Sequence, residues 1–591
     1  MTELVELDHP GNADVVVSVG EIAQRWVDQF SSALTAGDAA GAAALFADEG
    51  SWRDLLGLSW EFSTAIGPTE VESMLDSKLA ARAVLDFSIA SNRSRPALRT
   101  RMEIPSIEIF VDFATSAGSG QGVVRLIDVG GNLFKAYVVM TALGEIKGHP
   151  EWMQLERESV ANSREFGGEN WLDKRKKALK YVDRDPVVLV VGGGQAGLGV
   201  AARLRALDID TLIVDAHEEV GDVWRKRYHS LALHNEVYGN HLPYMPFPPS
   251  APRFLPKDKL ADFFKAYVEG LDLNFWTSTS FVGGGYDETA GCWDVEVDQA
   301  GVKRRLRPRH IVFATGVSAL PVMPDLPGLK EFAGTLVHSG AYEDGHLWRG
   351  KRAVVLGTGN SAHDVAQDLY ESGAKVTMVQ RAPTTILSLE QAQKLYSIYT
   401  EGRPLEEADL LTLAVPYPVL VRNYQVLTRG IREADTELLE GLAKRGFKLD
   451  FGPDETGFQM KYLTRGGGYY FNVGASDLII DGSIDILQFD QIDRFVSEGI
   501  RLKDGSLLET DLIVAATGYA NQQDVVRKHL GDEIADKIGP VWGFGTEREL
   551  RNMWHRTPQK GLWFNGGSMT QSRMYSKFLA LLIKAEEVGL I

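Results

Sequence analysis

Two short glycine-rich stretches have the residue types and the spacing that bind a dinucleotide. The first is Gly192, Gly194 and Gly197, and it directly follows a run of five apolar residues. In this G-x-G-x-x-G pattern the first glycine permits a tight turn, the second lets the backbone approach a pyrophosphate, and the third lets a helix pack on a strand. The free N–H groups at the start of that helix, at Gln195 and Ala196, would then face the phosphates.

The second stretch repeats the plan with one change. Gly357, Gly359 and Ala362 follow another apolar run, and alanine takes the position where the helix packs on the strand. Asn360 and Ser361 would open the helix there. Two such motifs in one chain are stronger evidence for dinucleotide binding than either motif alone.

The residues that end the next strand in each half indicate which dinucleotide is bound. Asp215 ends an apolar strand 18 residues after Gly197, where a carboxylate can hold the hydroxyls of an unphosphorylated ribose. The equivalent strand after the second motif ends in Arg381, which could pair with a 2′-phosphate or stack on adenine. The first motif therefore predicts FAD, and the second predicts NADPH in preference to NADH.

These motifs predict an α/β fold with two Rossmann-type dinucleotide-binding domains, preceded by a small α+β domain. That first domain is predicted from helices over 19–34 and 39–46, a third helix from Pro68, and strands over 107–113, 122–128 and 134–143. The chain is expected to return to the sheet of the FAD-binding domain with the segment 511–519. The predicted order is the α+β domain (1–150), a linker (151–184), FAD-binding domain, first part (185–340), NAD(P)H-binding domain with a helical insertion (341–489), and FAD-binding domain, second part (490–591).

Composition restricts the partners. A net charge of −18 argues against a nucleic-acid partner, because no basic surplus exists to neutralise phosphates. Cys292 is the only cysteine, which excludes a redox dithiol and a thiolate metal site within the chain, and no metal is expected. The N-terminus lacks a signal-peptide pattern, and no apolar run approaches the roughly 20 residues that span a bilayer. We expect a cytoplasmic protein without a membrane partner.

Four further segments carry residue patterns that, together with the glycine motifs, are specific to one family. They are the segment with Gly221, Trp224, Arg227 and Tyr228; Ala314-Thr315-Gly316; Phe332 to Tyr342, which fits F-x-G-x-x-x-H-x-x-x-(W/Y); and Ala516-Thr517-Gly518. With the two glycine motifs, they resemble the flavin-containing monooxygenases and their Baeyer–Villiger relatives over roughly residues 184–585.

The resemblance implies a chemistry and a set of roles. NADPH would reduce FAD, and O2 would add to give a C4a-(hydro)peroxyflavin that oxygenates a small organic substrate. Asn235 falls where heteroatom-oxidising members carry an asparagine beside the reactive edge of the flavin; a turn residue is the structural alternative. His338 would couple domain rotation to cofactor binding rather than act as a base. Trp224 and Arg227 would lie below the flavin, although Trp224 and Tyr228 could simply pack in the core.

Departures from the family pattern bear on the substrate. The fingerprint ends in Tyr342-Glu343 rather than Trp followed by Pro or Asp, which favours oxidation of a sulfide or amine. The N-terminal domain and Ala382, where relatives carry Ser or Thr, resemble the bacterial type II subgroup, whose members can oxidise ketones. Ala382 also predicts mixed use of NADPH and NADH.

Three alternatives stay open. A decarboxylating oxidation of an indole-3-pyruvate-like α-keto acid would need a cation near the substrate, and Arg465 and Lys461 are the candidates. A flavin NAD(P)H oxidase or reductase shares the double-Rossmann plan, but a disulfide reductase would lack its dithiol. A non-enzymatic flavoprotein is disfavoured by the intact glycine motifs.

The N-terminal region resembles the cone-shaped fold of nuclear transport factor two and the small polyketide cyclases. Members of that fold can be enzymes, ligand pockets or dimer-forming modules, and the last of these roles would give a homodimer. Asp54 and His149 could form an acid/base pair, but nothing in the sequence brings them together, and a non-catalytic role is expected.

Overall fold

The computed structural model describes residues 4–5, 17–79, 82–152 and 166–591. Within these residues, three large β-sheets organise the chain: a seven-stranded sheet in the N-terminal region and two five-stranded sheets after it. Most of the predicted linker's first half, residues 153–165, lies outside the described part.

The N-terminal unit is a mostly antiparallel sheet covered by helices, in the sheet order β4-β3-β9-β8-β7-β5 with β6 paired to β7. Its first long helix begins at a capping box, in which Ser18 and Glu21 exchange hydrogen bonds, and ends at Gly37. The elements are β1 Leu4–Val5, β2 Val17–Ser18, α1 Val19–Ala36, α2 Ala39–Ala43, β3 Phe46–Leu55, β4 Phe62–Ile66, α3 Gly67–Lys78, β5 Val84–Ile89, β6 Ala97–Arg101, β7 Ile104–Thr115, β8 Gly118–Asp128 and β9 Phe134–Ile146.

The first dinucleotide fold is a parallel sheet in the order β14-β11-β10-β18-β29, in which β29 (Leu562–Phe564) comes from the C-terminal part of the chain. Its central strand β10 is buried on both faces, which explains its uninterrupted apolar sequence. The elements are α4 Trp171–Ala178, β10 Val188–Val191, α5 Gln195–Ala206, β11 Thr211–Val214, α6 Asp222–Arg225, β12 Ala232–Glu236, β13 Phe254–Pro256, α7 Lys257–Gly270, β14 Asn274–Trp276, β15 Thr279–Asp287, β16 Cys292–Gln299, β17 Val302–Leu306 and β18 His310–Phe313.

The second dinucleotide fold is a parallel sheet in the order β19-β28-β20-β21-β24. A helical insertion lies between its strands β21 and β24. The elements are β19 Thr335–His338, β20 Arg352–Leu356, α8 Asn360–Glu371, β21 Lys375–Gln380, β22 Thr385–Ser388, α9 Leu389–Gln393, α10 Leu405–Leu413, α11 Tyr417–Ala434, α12 Thr436–Lys444, α13 Gly457–Arg465, β23 Tyr469–Asn472, α14 Ala475–Ile480, β24 Ile484–Gln488, β25 Ile492–Val496, β26 Gly499–Leu502, β27 Leu507–Glu509 and β28 Leu512–Ala515.

The chain then returns to the first sheet and closes on it with a long helix. The last elements are α15 Gln522–Leu530, α16 Asp532–Ile538, β29 Leu562–Phe564 and α17 Met569–Glu587. The prediction of an α/β protein with two Rossmann-type folds is confirmed. Among the described residues, no helix has the length and apolar character needed to cross a membrane.

Two local predictions are wrong. The strand within 511–519 does not rejoin the first sheet: β28 pairs with β19 and β20 of the second sheet, and the chain returns to the first sheet only at β29. The helix predicted over 39–46 ends at Ala43, because Phe46 already begins a strand whose side chains are mostly buried.

Candidate functional site

The first glycine turn has the geometry that its sequence predicts. Gly192 has φ +109°, and a Cβ there would lie 2.7 Å from the carbonyl oxygen of Ala314, which directly follows the neighbouring strand β18. A Cβ on Gly197 would lie 1.9 Å from the carbonyl oxygen of Gly192, so helix α5 packs on the turn only because this side chain is absent. Around Gly194 the nearest atom to such a Cβ is 4.0 Å away, on Val223, which leaves this face open to a ligand.

Asp215 lies beside this turn as an anion. Its carboxylate accepts hydrogen bonds from the backbone N–H of Gly193 at 2.6 Å and from the backbone and ring of His217 at 2.9 and 2.7 Å. Burial opposes ionisation, but the bonds from His217 and Gly193 outweigh it and lower the pKa of Asp215. The same contact raises the pKa of His217. Sequence reasoning missed His217, although its position two residues after the ribose-binding acid was visible.

The Thr315 hydroxyl and the Trp224 indole N–H are buried near the turn and have no hydrogen-bond partner within the described residues. Thr315 follows Ala314, whose carbonyl crowds Gly192, and Trp224 follows Val223, the residue nearest to Gly194. Buried donors without a partner are rare, and a bound group commonly satisfies them. The open glycine face, the Asp215 anion and these two donors fit a flavin dinucleotide.

Other predicted flavin contacts have structural roles as well. The Gln195 side chain donates to the carbonyl oxygen of Gly567 at 3.2 Å, which ties the start of α5 to the start of α17. Ala196 is buried, and its carbonyl oxygen accepts from Asn565 at 2.8 Å. Gly316 has φ +72°, so the Thr-Gly turn after β18 requires glycine.

The second glycine turn repeats this arrangement. Gly357 has φ +127°, and a Cβ there would lie 2.5 Å from the carbonyl oxygen of Ala516. The corresponding position at Gly359 is open, with its nearest neighbour 3.8 Å away, and Ala362 is buried where helix α8 packs. The Asn360 side chain, next to Ser361 in the first turn of the helix, accepts from the backbone N–H of Phe471 at 3.1 Å. A second dinucleotide fits this turn.

The strand end that selects the coenzyme carries a cation. Arg381 directly follows β21 and is exposed, as is Ala382. Gln380, before it, is buried, and its side-chain amide is hydrogen-bonded to the backbone of Lys448, so this side chain does not supply a hydrogen bond to a ribose. The position thus offers an arginine and no carboxylate to a ribose.

The two Ala-Thr-Gly segments occupy equivalent places in the two sheets. Each follows the strand next to the glycine-rich strand, β18 beside β10 and β28 beside β20. Gly518 has φ +84°, and the Thr517 hydroxyl donates to the carbonyl oxygen of Val322 at 2.6 Å. Thr517 and Gly518 therefore belong to the turn of the second sheet.

His338 is held by backbone on both ring nitrogens. Its Nδ1 accepts from the N–H of Gly340 at 3.0 Å, so Nε2 carries the proton and donates to the carbonyl oxygen of Gly518 at 3.1 Å. Burial lowers the pKa of His338, which keeps the ring neutral. With both nitrogens engaged, the ring ties the end of β19 to the Thr-Gly turn.

Two tyrosines connect the segments flanking the flavin site to helix α8. The hydroxyl of Tyr228, one residue after Arg227, donates to Asp364 at 2.5 Å, and the hydroxyl of Tyr342 donates to Asp368 at 2.6 Å. Burial and the adjacent carboxylates raise the pKa of both phenols. Sequence reasoning missed the two acids, whose i,i+4 spacing places them on one face of the helix. Tyr228 therefore links its segment to helix α8 in addition to packing in the core.

Asn235 lies in a strand, so the alternative of a turn residue is wrong. Its side-chain NH2 donates to the hydroxyl of Tyr396 at 3.0 Å, and burial raises the pKa of that phenol to about 12, so Tyr396 is neutral. The preceding His234 lies 3.7 Å from Asp364. A few residues later the carbonyl oxygen of Gly239 accepts from α17. The Asn235 segment thus runs between the second dinucleotide fold and the helix that closes the first.

Lys461 is not available as an anion partner for a substrate. Its side chain is 1% exposed, forms an ion pair with Asp450 and donates to the carbonyl oxygen of Gly468 at 2.9 Å. Burial lowers its pKa, although Asp450 opposes that shift. Arg465, at the end of α13, is exposed.

Asp54 is satisfied within the N-terminal unit. The hydroxyl of Thr141 donates to its carboxylate at 2.6 Å and the backbone N–H of Leu58 at 3.0 Å. His149, the other half of the suggested acid/base pair, is not among the hydrogen-bond partners that the structure gives Asp54. These bonds favour a structural role for this carboxylate.

Comparisons with known proteins cover the dinucleotide-binding part. A family model described as flavin-binding monooxygenase-like matches residues 185–531, more than half of the chain. An indole-3-pyruvate monooxygenase from Oryza sativa subsp. japonica is 30% identical over 348 residues, which cover 59% of this chain and 80% of the relative. A probable indole-3-pyruvate monooxygenase from Arabidopsis thaliana is 31% identical over 338 residues, covering 56% and 74%.

Solved structures share the fold at lower identity. A cyclohexanone monooxygenase from Rhodococcus sp. Phi1, bound to NADP+, is 16% identical with a TM-score of 0.50, covering 69% of this chain and 86% of that chain. The OTEMO complex with FAD and NADP is 17% identical with a TM-score of 0.51, covering 69% and 87%.

Proposed function

Since this chain belongs to the flavin-binding monooxygenase-like family, we propose that it oxygenates a small, neutral organic substrate, at sulfur or nitrogen, at a ketone, or both. It is a flavin-dependent monooxygenase with FAD and NADPH as its cofactors. The N-terminal unit and Ala382 favour the type II subgroup. The reaction consumes O2 and NADPH together with the substrate.

The residues at the two turns have separate roles. Those at the first would hold FAD: Gly192, Gly194, Gln195, Ala196, Gly197, Asp215, Trp224, Arg227, Thr315 and Gly316. Those at the second would hold NADPH: Gly357, Gly359, Asn360, Ser361, Ala362, Arg381, Thr517 and Gly518. When bound, the reduced flavin supplies the activated oxygen, and the chain positions the substrate and excludes water.

The observation that carries the proposal is the Asn235–Tyr396 pair. It is a neutral amide hydrogen-bonded to a neutral phenol on the segment between the two dinucleotide folds. Such a pair can donate a hydrogen bond to a carbonyl or to a nascent S–O or N–O group, and it offers no positive charge to a carboxylate. His338 acts by positioning, because both of its nitrogens are engaged by backbone.

A second candidate is oxidation of an α-keto acid, supported by the similarity to plant indole-3-pyruvate monooxygenases. This activity requires a cation for the substrate carboxylate. Lys461 is committed to Asp450, and Arg465 is the remaining candidate from the sequence. A flavin reductase that acts on disulfides is disfavoured because Cys292 has no second cysteine.

The test is the stoichiometry of NADPH, O2 and product with three substrates: thioanisole, cyclobutanone and indole-3-pyruvate. We expect oxygenated product from thioanisole, from cyclobutanone or from both, in near-equal amount to the NADPH consumed. Turnover of indole-3-pyruvate alone would replace the proposal with the second candidate. Release of hydrogen peroxide as the only product with all three would overturn both.

Coenzyme choice gives a separate prediction. Replacing Arg381 by alanine is expected to raise the KM for NADPH about tenfold, because the 2′-phosphate loses a charge-assisted partner, and to leave the KM for NADH nearly unchanged. The matched control is Arg501→Ala, which removes an exposed arginine from β26, outside both dinucleotide turns. Equal KM changes for the two coenzymes in Arg381→Ala would contradict a 2′-phosphate role.

We also propose that the N-terminal unit has the cone-shaped fold of nuclear transport factor two, in a non-catalytic role. Its helices α1 to α3 and the pairing of both β5 and β6 with the long strand β7 support this assignment. A cytoplasmic location and a homodimer are part of the same proposal. Size-exclusion chromatography with light scattering tests the oligomeric state.

A further inference from the structure

The N-terminal unit contacts one segment of the helical insertion, residues 389–434, which we call the roof segment. This segment contains α9, α10 and α11. It is inserted between β22 and α12 of the second dinucleotide fold, far along the chain from the residues that contact it.

The start of the roof segment is bound to the strand that carries Asn235. The side chain of Gln393 donates to the carbonyl oxygen of His234 at 2.8 Å and accepts from the backbone N–H of Glu236 at 3.2 Å. Tyr396 accepts from Asn235 itself. These bonds join the start of the roof segment to the residues proposed to face the substrate.

A buried carboxylate anchors the middle of the roof segment to the N-terminal unit. Glu407 is 2% exposed and accepts two hydrogen bonds from Ser94, from its backbone N–H at 2.7 Å and its hydroxyl at 2.6 Å. Arg403 lies 3.7 Å from the same carboxylate and neutralises part of its charge. A buried carboxylate is costly without such partners, so this contact favours one docked position.

A second anchor is an ion-pair network across the same boundary. Arg101 of the N-terminal unit bonds to Glu108 of its own sheet and to Glu401 of the roof segment, the latter at 2.9 Å. Arg403 completes the network by reaching Glu108 at 3.2 Å. The bonds from Arg101 and Arg403 lower the pKa of Glu401 despite its burial, so the carboxylate stays charged near neutral pH.

Three arginines extend the contact along the segment. Arg422 in α11 donates to the carbonyl oxygen of Met102 at 2.7 Å, and Arg429 lies 3.3 Å from the Glu103 carboxylate. Arg53, from the N-terminal sheet, donates to the carbonyl oxygen of Leu413, the last residue of α10, at 2.8 Å. The anchors are therefore spread from residue 401 to residue 429 rather than concentrated at one point.

We propose that the N-terminal unit is a positioning element that holds the roof segment over the oxygenation site and keeps water out. The inference rests on the proposed function. In the productive reaction NADPH, a proton, O2 and the substrate give NADP+, water and the oxygenated product. When water enters, NADPH, a proton and O2 give NADP+ and hydrogen peroxide, and no oxygen reaches the substrate. Loosening the roof segment shifts turnover from the first reaction to the second.

The test is the variant Ser94→Ala/Arg101→Ala in the full-length holoenzyme, with thioanisole at saturation. Each carboxylate of the network keeps Arg403 as a partner in this variant, which limits the loss of stability. We expect the share of NADPH recovered as hydrogen peroxide to rise about threefold, while the rate of NADPH oxidation changes less than about twofold. Hydrogen exchange of residues 401–429 is expected to accelerate.

The matched control is Arg527→Ala. Arg527 also bridges two carboxylates, Asp532 and Asp536 at 2.7 and 2.8 Å, but outside the roof segment. It should change neither the peroxide share nor the exchange of 401–429. The single variant Ser94→Ala serves if the double variant does not fold, with a smaller shift in the same direction.

Two results overturn the inference. One is an unchanged peroxide share although exchange of residues 401–429 has accelerated; the other is unchanged exchange, which means that these contacts do not hold the segment. If the unmodified enzyme gives only peroxide with thioanisole, cyclobutanone and indole-3-pyruvate, the proposed function fails instead. In that case the exchange measurement alone still decides whether the N-terminal unit holds the roof segment.

Discussion

Replacing Gly197 by alanine is expected to give a protein that folds but purifies with almost no FAD. The added Cβ would lie 1.9 Å from the carbonyl oxygen of Gly192 and 3.3 Å from a methyl group of Val190. Both neighbours belong to the strand and turn that would cradle the pyrophosphate, so relief of the clash moves helix α5 and its N–H groups away from the phosphates. We expect affinity for FAD to fall by about 100-fold or more.

The same helix provides a matched control two residues later. A Cβ on Gly199 would lie 3.5 Å from the carbonyl oxygen of Ser572, an ordinary contact, and alanine favours helix by about 1 kcal/mol over glycine. Gly199→Ala should retain FAD. The measurement is the ratio of flavin to protein absorbance after purification and the Kd for added FAD, with circular dichroism to establish folding. A folded Gly197→Ala protein that keeps a full complement of FAD would show that the first motif does not hold the flavin.

The glycine turns could be predicted because their requirements are local. Gly192 and Gly357 need positive φ, and Gly197 must carry no side chain, so the spacing in the sequence specifies the turn without reference to distant residues. The position of Asp215 beside the first turn follows in the same way, because the ends of adjacent parallel strands meet at one edge of the sheet.

The sheet to which β28 belongs could not be predicted from its own residues. Both Ala-Thr-Gly segments follow short apolar strands, and both strands lie next to a glycine-rich strand. Only pairing with β19 and β20 distinguishes them, and this pairing depends on how the intervening chain folds. A local pattern that both halves share carries no information about which half it joins.

The side-chain pairs that the fold brings together from distant parts of the chain could not be predicted from the sequence either. Asn235 and Tyr396 are 161 residues apart in the chain, and the sequence around either residue does not indicate that the other is its partner. Lys461 looked available for an anion because a surface position is the default for lysine, but the fold buries it against Asp450. Substrate recognition depends on such pairs, which is why the sequence located the reaction without choosing the substrate.

A buried ion pair joins the N-terminal unit to the rest of the chain. Arg53 binds Glu549 through two hydrogen bonds of 2.8 and 2.6 Å and contacts the Tyr575 hydroxyl at 3.1 Å. The two charged side chains are only 10% and 9% exposed. The neighbouring pair Arg548–Glu70 joins the same two parts of the chain at 2.6 Å, but its side chains are 33% and 47% exposed.

Replacing Arg53 by alanine is expected to lower the free energy of unfolding of the N-terminal unit by about 3–5 kcal/mol, because Glu549 is left buried without its partner. Arg548→Ala should cost less than about 1 kcal/mol, since water screens the exposed pair. Urea denaturation followed by tryptophan fluorescence measures both, and Trp52 and Trp26 report on the N-terminal core. The double variant Arg53→Met/Glu549→Leu should recover most of the loss, because no buried charge then lacks a partner. Equal losses in Arg53→Ala and Arg548→Ala would mean that burial of the Arg53 pair has no energetic consequence.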